Sequence, residues 1–125
     1  MYEYRAHVTR VIDGDTLEVN VDLGLGVSRK ERVRLAGVDT PETWRPKTDA
    51  EKAHGKEATA FVMECVLAQD IILNTVKDRQ GKYGRYLGYI KYTCGIDKVE
   101  KDLATELKAA DLVKRDHYSD LDDIG

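Results

Sequence analysis

Leu17, Val19, Val21 and Leu23 alternate without a break with Glu18, Asn20 and Asp22. A period of two describes a strand with one buried face, not a helix stripe. Just upstream, Asp13-Gly14-Asp15 is turn chemistry. Before that turn, Tyr4, Ala6 and Val8, then after a shift of phase Val11 and Ile12, form a second alternation over residues 4–12. Two strands flanking a short polar turn predict an antiparallel hairpin at the start of the chain, against which the rest must pack.

The remaining pattern limits what can pack there. Gly24-Leu25-Gly26 opens a flexible connection, and Val33, Leu35 and the Gly37-Val38 pair predict a third strand over residues 33–38. Thr40-Pro41 ends it, because proline cannot donate to a ladder. Residues 43–49 form a polar loop that holds Trp44 and Pro46. Ala58, Phe61, Val62, Cys65 and Val66 fall at helical spacing, which predicts an amphipathic helix over residues 50–68, with Gly55 weakening its start. Residues 71–76 and 86–92 predict two more strands, the latter rich in aromatic and β-branched residues. Val99, Leu103, Leu107 and Ala110 predict a second helix, with Glu100 and Asp102 placed favourably in its first turn.

Three strands, a helix, two strands and a helix make an α+β chain dominated by β. A five-stranded OB-type barrel with two outer helices closes such strands on themselves and removes their open edges. At 125 residues a single domain spanning 1–125 is expected, with an acidic tail over about residues 116–125. The chain is 42% hydrophobic and 34% charged, enough apolar material for one core.

A net charge of -3 argues against a protein that coats nucleic acid through charge alone. Positive charge gathers locally in Arg29-Lys30-Glu31-Arg32-Val33-Arg34 and again in Lys77-Asp78-Arg79-Gln80-Gly81-Lys82 with Arg85, while the tail pulls the total down. No apolar run reaches transmembrane length, and no membrane partner is expected. The first residues lack the apolar stretch of a secretory signal, so the chain reads as cytoplasmic as written, although a removed signal leaves no trace. Cys65 and Cys94 lack metal-ligand spacing and read as buried free thiols.

Chemistry concentrates in three short segments: Asp13-Gly14-Asp15-Thr16, Val33-Arg34-Leu35 through Asp39-Thr40-Pro41-Glu42, and Lys82-Tyr83-Gly84-Arg85. Carboxylate oxygens hold hard divalent cations, which favours Ca²⁺ or Mg²⁺ over Zn²⁺. Two guanidinium forks can clamp a phosphate. A metal, a carboxylate base and two arginines are the parts needed to hydrolyse a phosphodiester. Arg34 lies between Val33 and Leu35, so it takes the opposite face. If that pair packs outward under a helix, Arg34 points into the barrel mouth.

In order and spacing over roughly residues 8–112, these segments resemble the staphylococcal nuclease (thermonuclease) family. The resemblance implies an OB-type barrel that cleaves DNA and RNA with calcium and leaves 3′-phosphate ends. Carried onto this chain, it puts Asp15 and Asp39 on Ca²⁺, preferred to Mg²⁺, with the Thr40 carbonyl as a third ligand. It makes Glu42 the group that orients or deprotonates the attacking water. Arg34 and Arg85 hold the scissile phosphate, Lys82 and Tyr83 contact the substrate, and Asp13 supports the site from behind. A monomer is expected.

Three features depart from the family. The connection over residues 24–30 is longer than in its best-known member. The chain ends soon after the second helix, so the third family helix is short or absent. The charge balance is acidic. Asp13 also reads as an ordinary turn residue, Tyr83 as a packing tyrosine and Trp44 as loop packing or a base-stacking platform. His7, His54 and His117 have no partners in the pattern and read as non-catalytic. The alternative function is a non-catalytic OB-fold module that binds nucleic acid or protein. Such modules are expected to lack one or more of Asp15, Arg34, Asp39, Glu42 and Arg85, and this chain has all five.

Overall fold

Alternating burial sorts every strand of the first hairpin into two faces. The computed structural model describes residues 2–43, 46–76 and 84–115. Strand β1 (Tyr2–Asp13) pairs antiparallel with β2 (Thr16–Asp22), sending Ala6 and Val8 of one and Leu17, Val19 and Val21 of the other inward. The phase shift read in β1 is a register irregularity between Val8 and Arg10, with a second between Val11 and Asp13. An extra residue in one strand swaps the faces beyond it.

Strand β3 (Ser28–Leu35) begins five residues earlier than the sequence pattern indicates and stops before Gly37-Val38. Its first half is the Arg29-Lys30-Glu31-Arg32 run, whose charges hide the alternation. The flexible connection is therefore shorter than expected, and Arg29 and Lys30 belong to the ladder with β2. Gly37 adopts φ 78°, a left-handed turn that ends the strand at little cost to glycine.

Helix α1 (Asp49–Val66) follows, with Thr48 Oγ1 accepting the Glu51 N–H at 3.0 Å as N-cap and Asp49 and Glu51 at the positive end of the dipole. Its Ala58, Val62 and Val66 enter the core, with Phe61 and Cys65 at the margin. Strands β4 (Asp70–Thr75) and β5 (Tyr86–Cys94) complete the barrel in the order β3-β2-β1-β4-β5. A parallel pairing of Val33, Arg34 and Leu35 with Tyr86, Leu87 and Gly88 closes it. The result is a closed five-strand mixed barrel of OB type with two helices.

One further strand lies where the sequence predicted helix. Residues Val99–Asp102 form β6, paired antiparallel with β5, and α2 is only Leu103–Ala109. Val99 shares its spacing with Leu103 and Leu107, but its backbone joins the sheet and its side chain is exposed. Glu100 is accordingly a strand residue. Asp102 is the N-cap, accepting from the Thr105 N–H at 3.1 Å and hydroxyl at 2.8 Å.

Leu17, Leu35, Leu73, Ile90, Leu103 and Leu107 are fully buried, each contributing about 1.5–3 kcal/mol against exposure. Cys65 is half-buried and Cys94 exposed, so both are free thiols but neither is fully buried. The Tyr92 hydroxyl donates to Cys65 Sγ at 3.5 Å. Burial pushes both groups above their usual ranges, and that bond raises the phenol further while offsetting part of the thiol's rise. Cys65 is therefore a neutral packing group, not a nucleophile. No described helix is long and apolar enough to cross a membrane. Residues 116–125, where the acidic tail, His117 and any third helix would lie, are outside the described residues, as is Trp44.

Candidate active site

Asp15 sits in the two-residue corner between β1 and β2, not at the start of a strand. Its carbonyl accepts the Leu35 N–H at 2.8 Å, which ties the corner to the end of β3. Its carboxylate accepts the Thr40 N–H at 3.0 Å and the Thr16 hydroxyl at 3.2 Å. Gly14, beside it, is required by contact: a Cβ there would lie 2.9 Å from Thr40 Cγ2 and 3.0 Å from Ala58 Cβ.

Arg34 faces outward. Val33 and Leu35 enter the barrel core, so the alternation places the arginine on the outer face and not in the barrel mouth. Its Nη1 donates to the carbonyls of Leu35 at 2.6 Å and Val38 at 2.7 Å. Its Nη2 lies 3.3 Å from Asp15 Oδ2 and also donates to Asp39 Oδ1. Asp39 is in the loop after β3, and one guanidinium nitrogen thus touches both carboxylates.

The loop from Asp39 to Thr43 is pinned from three sides. The Thr43 hydroxyl donates to Asp13 Oδ1, which gives Asp13 a contact beyond turn formation. The Lys114 N–H donates to the Asp39 carbonyl at 2.8 Å, and Lys114 Nζ lies 3.9 Å from Glu42 Oε1. The carbonyls of Pro41 and Glu42 press on Gly55 of α1, where an added Cβ would meet each at 2.8 Å. Gly55 is thus a point of close approach in the second turn of α1, not a weak first turn.

These contacts assemble a polar pocket of about 270 Å³ lined by Asp13, Asp15, Arg34, Asp39, Thr40, Glu42 and Arg85. Lys114 also lines it, and no motif in the sequence marks that residue. Lys82 and Tyr83 lie outside the described residues. His7 pairs with Asp70 at 2.8 Å, and His54 Nε2 is 2.7 Å from the Asp111 carbonyl; neither lines this pocket. Among the described residues no group of three or more His, Cys, Asp or Glu side chains is assembled for a metal. A cation here would rest on Asp15, Asp39, the Thr40 carbonyl and solvent, an all-oxygen set that suits a hard divalent ion.

A closed OB-type barrel with a pocket where carboxylates and arginines meet defines a class, that of the staphylococcal nuclease homologues. The model of that family matches residues 32–121, and the chain belongs to it. The match takes in Arg34, Asp39, Thr40, Glu42 and Arg85; Asp15 precedes it and is brought in by the fold. Among curated proteins, the thermonuclease of Staphylococcus intermedius is 42% identical over 83 residues, 66% of this chain and 46% of its own length. The thermonuclease of Staphylococcus hyicus is 40% identical over the same shares. Endonuclease YncB of Bacillus subtilis is 38% identical over 82 residues, 65% of this chain and 36% of its own length. The chain thus spans less than half the length of these relatives.

Proposed function

We propose that the chain is a metal-dependent nuclease that hydrolyses phosphodiester bonds of DNA, RNA or both. The observation that carries this reading is the convergence of a carboxylate pair, a separate glutamate and two arginines on one pocket. The nuclease names of its relatives support it. Asp15, Asp39 and the Thr40 carbonyl would hold the cation, Ca²⁺ in preference to Mg²⁺. When bound, the ion supplies Lewis-acid polarisation of a phosphoryl oxygen.

The protein's own residues do the rest. Arg34 and Arg85 bind the scissile phosphate and offset charge as it builds on the equatorial oxygens. Glu42 takes the proton of the attacking water, whose oxygen forms the new bond to phosphorus. The 5′-oxygen leaves, taking a proton from solvent, and a 3′-phosphate end results. Asp13 positions the Glu42 loop through Thr43. Lys82 and Tyr83 would contact the substrate beyond the scissile group. The protein would work as a monomer.

The test is cleavage of single-stranded DNA with Ca²⁺, then with excess chelator, for the wild type and for Glu42→Gln. Chelation is expected to abolish cleavage. Glu42→Gln is expected to lose about 10²–10⁴ in turnover, with calorimetric Ca²⁺ affinity little changed. Full activity in chelator would overturn the metal reading. Abolished Ca²⁺ binding, with turnover restored at high Ca²⁺, would make Glu42 a ligand instead of the base.

A further inference from the structure

The outer face of β3 carries a pattern that the pocket does not use. The alternation that buries Val33 and Leu35 sends Lys30, Arg32 and Arg34 to the opposite side. Arg34 lies in the pocket, and the other two lead away from it along the strand in steps of about 6.8 Å. That step is close to the separation of successive phosphates in an extended single strand. Arg10 of β1 joins the row from across the sheet, since Arg32 pairs with Glu18 and Glu18 with Arg10.

Glu18 sits beneath these cations, its side chain only 13% exposed. Arg10 Nη1 lies 3.8 Å from it, Lys30 Nζ 3.8 Å and Arg32 Nη2 3.9 Å. These separations exceed hydrogen-bonding range, so the donors remain available to a ligand. One carboxylate against three cations leaves a surplus of two positive charges, in a chain whose total is -3. Among the described residues no other acidic side chain comes within 4.0 Å of the three. Like charges on neighbouring strands destabilise a sheet. Among the described residues nothing offsets that surplus, which suits the row to the negative charge of a ligand.

We infer that the Lys30–Arg32 row with Arg10 is a track for the backbone of a single-stranded nucleic acid, binding the phosphates that adjoin the one held at Arg34. The inference rests on the nuclease reading and extends it from the cleaved bond to its neighbours. Collinearity with Arg34 favours a polynucleotide over an anionic membrane, which would need no such alignment with the pocket.

The test pairs Lys30→Gln/Arg32→Gln with Glu18→Gln. Binding of a labelled 20-nucleotide single-stranded DNA is followed by fluorescence anisotropy in chelator, over a range of salt. The double variant is expected to weaken binding on the order of tenfold near 0.1 M salt. It should also reduce the slope of log affinity against log salt by about 1.4, at about 0.7 per phosphate contact. Glu18→Gln should tighten binding severalfold, a gain that misfolding cannot produce. With Ca²⁺, kcat/KM on a dinucleotide, too short to reach Arg32, should stay unchanged in the double variant, and that on the 20-mer should fall. An unchanged salt slope, an equal loss on both substrates, or, in a parallel assay of binding to phosphatidylserine vesicles, a loss there with DNA binding intact would overturn the track. If instead the wild type cleaves neither substrate but the slope still responds, the nuclease reading fails and the track stands.

Discussion

Two nitrogens of Arg34 reach four acceptors, the carbonyls of Leu35 and Val38 and the carboxylates of Asp15 and Asp39. Lysine keeps the charge but has one nitrogen and no planar fork. Arg34→Lys is therefore expected to lower kcat by about 10³ or more, with a smaller rise in KM. It should also lower the melting temperature, because the carbonyls of Leu35, at the end of β3, and of Val38, in the loop after it, lose their donor. Arg85 follows Gly84, which adopts φ 70° just before β5, so it enters the pocket from a turn and not from a ladder. Arg85→Lys should raise KM along with its loss in kcat. Steady-state kinetics at saturating Ca²⁺ check both, and near wild-type kcat in the two variants would reduce the arginines to charge steering.

At the scale of elements, α1 and the Glu42 loop form one unit through Gly55. Replacing a helical glycine by alanine ordinarily stabilises by up to about 1 kcal/mol. Here the new methyl would meet two backbone carbonyls at 2.8 Å, and backbone cannot turn away as a side chain can. Gly55→Ala is expected to lose about 1–2 kcal/mol by denaturant titration and at least tenfold in turnover, since the loop it displaces carries Glu42. A more stable variant with intact turnover would show that the loop is not clamped there. The sequence pattern made the hairpin, α1 and the barrel strands legible because each buries one face, which periodicity reports directly. It missed β6 because Val99 fits the spacing of Leu103 and Leu107, and only pairing with β5, a tertiary contact, decides against helix. It missed the first half of β3 because residues 29–32 are all charged. The carboxylates and arginines of the pocket were legible as local motifs. Lys114 was not, since it reaches the pocket only through the path of the chain after α2.

Across the whole molecule, the carboxylates and Arg34 come from the first third of the chain, and Arg85 and Lys114 from the last third. They meet because the barrel closes, and the closing joint is its shortest: three residue pairs between β3 and β5, against seven between β2 and β3. Those three pairs connect residues more than fifty positions apart in sequence. Such long-range contacts repay the entropy of ordering the chain late and with little margin. Stability is uneven across a structure, and short joints open at lower free energy than long ones. Opening this joint would separate the two arginines while the first hairpin stayed intact. Enzyme activity in urea is therefore expected to vanish at a lower concentration than the far-ultraviolet circular dichroism signal. Coincident midpoints would mean instead that the joint holds until the barrel gives way as one. With the midpoints apart as expected, the molecule loses its cutting power before its shape, and the seam acts as a fuse.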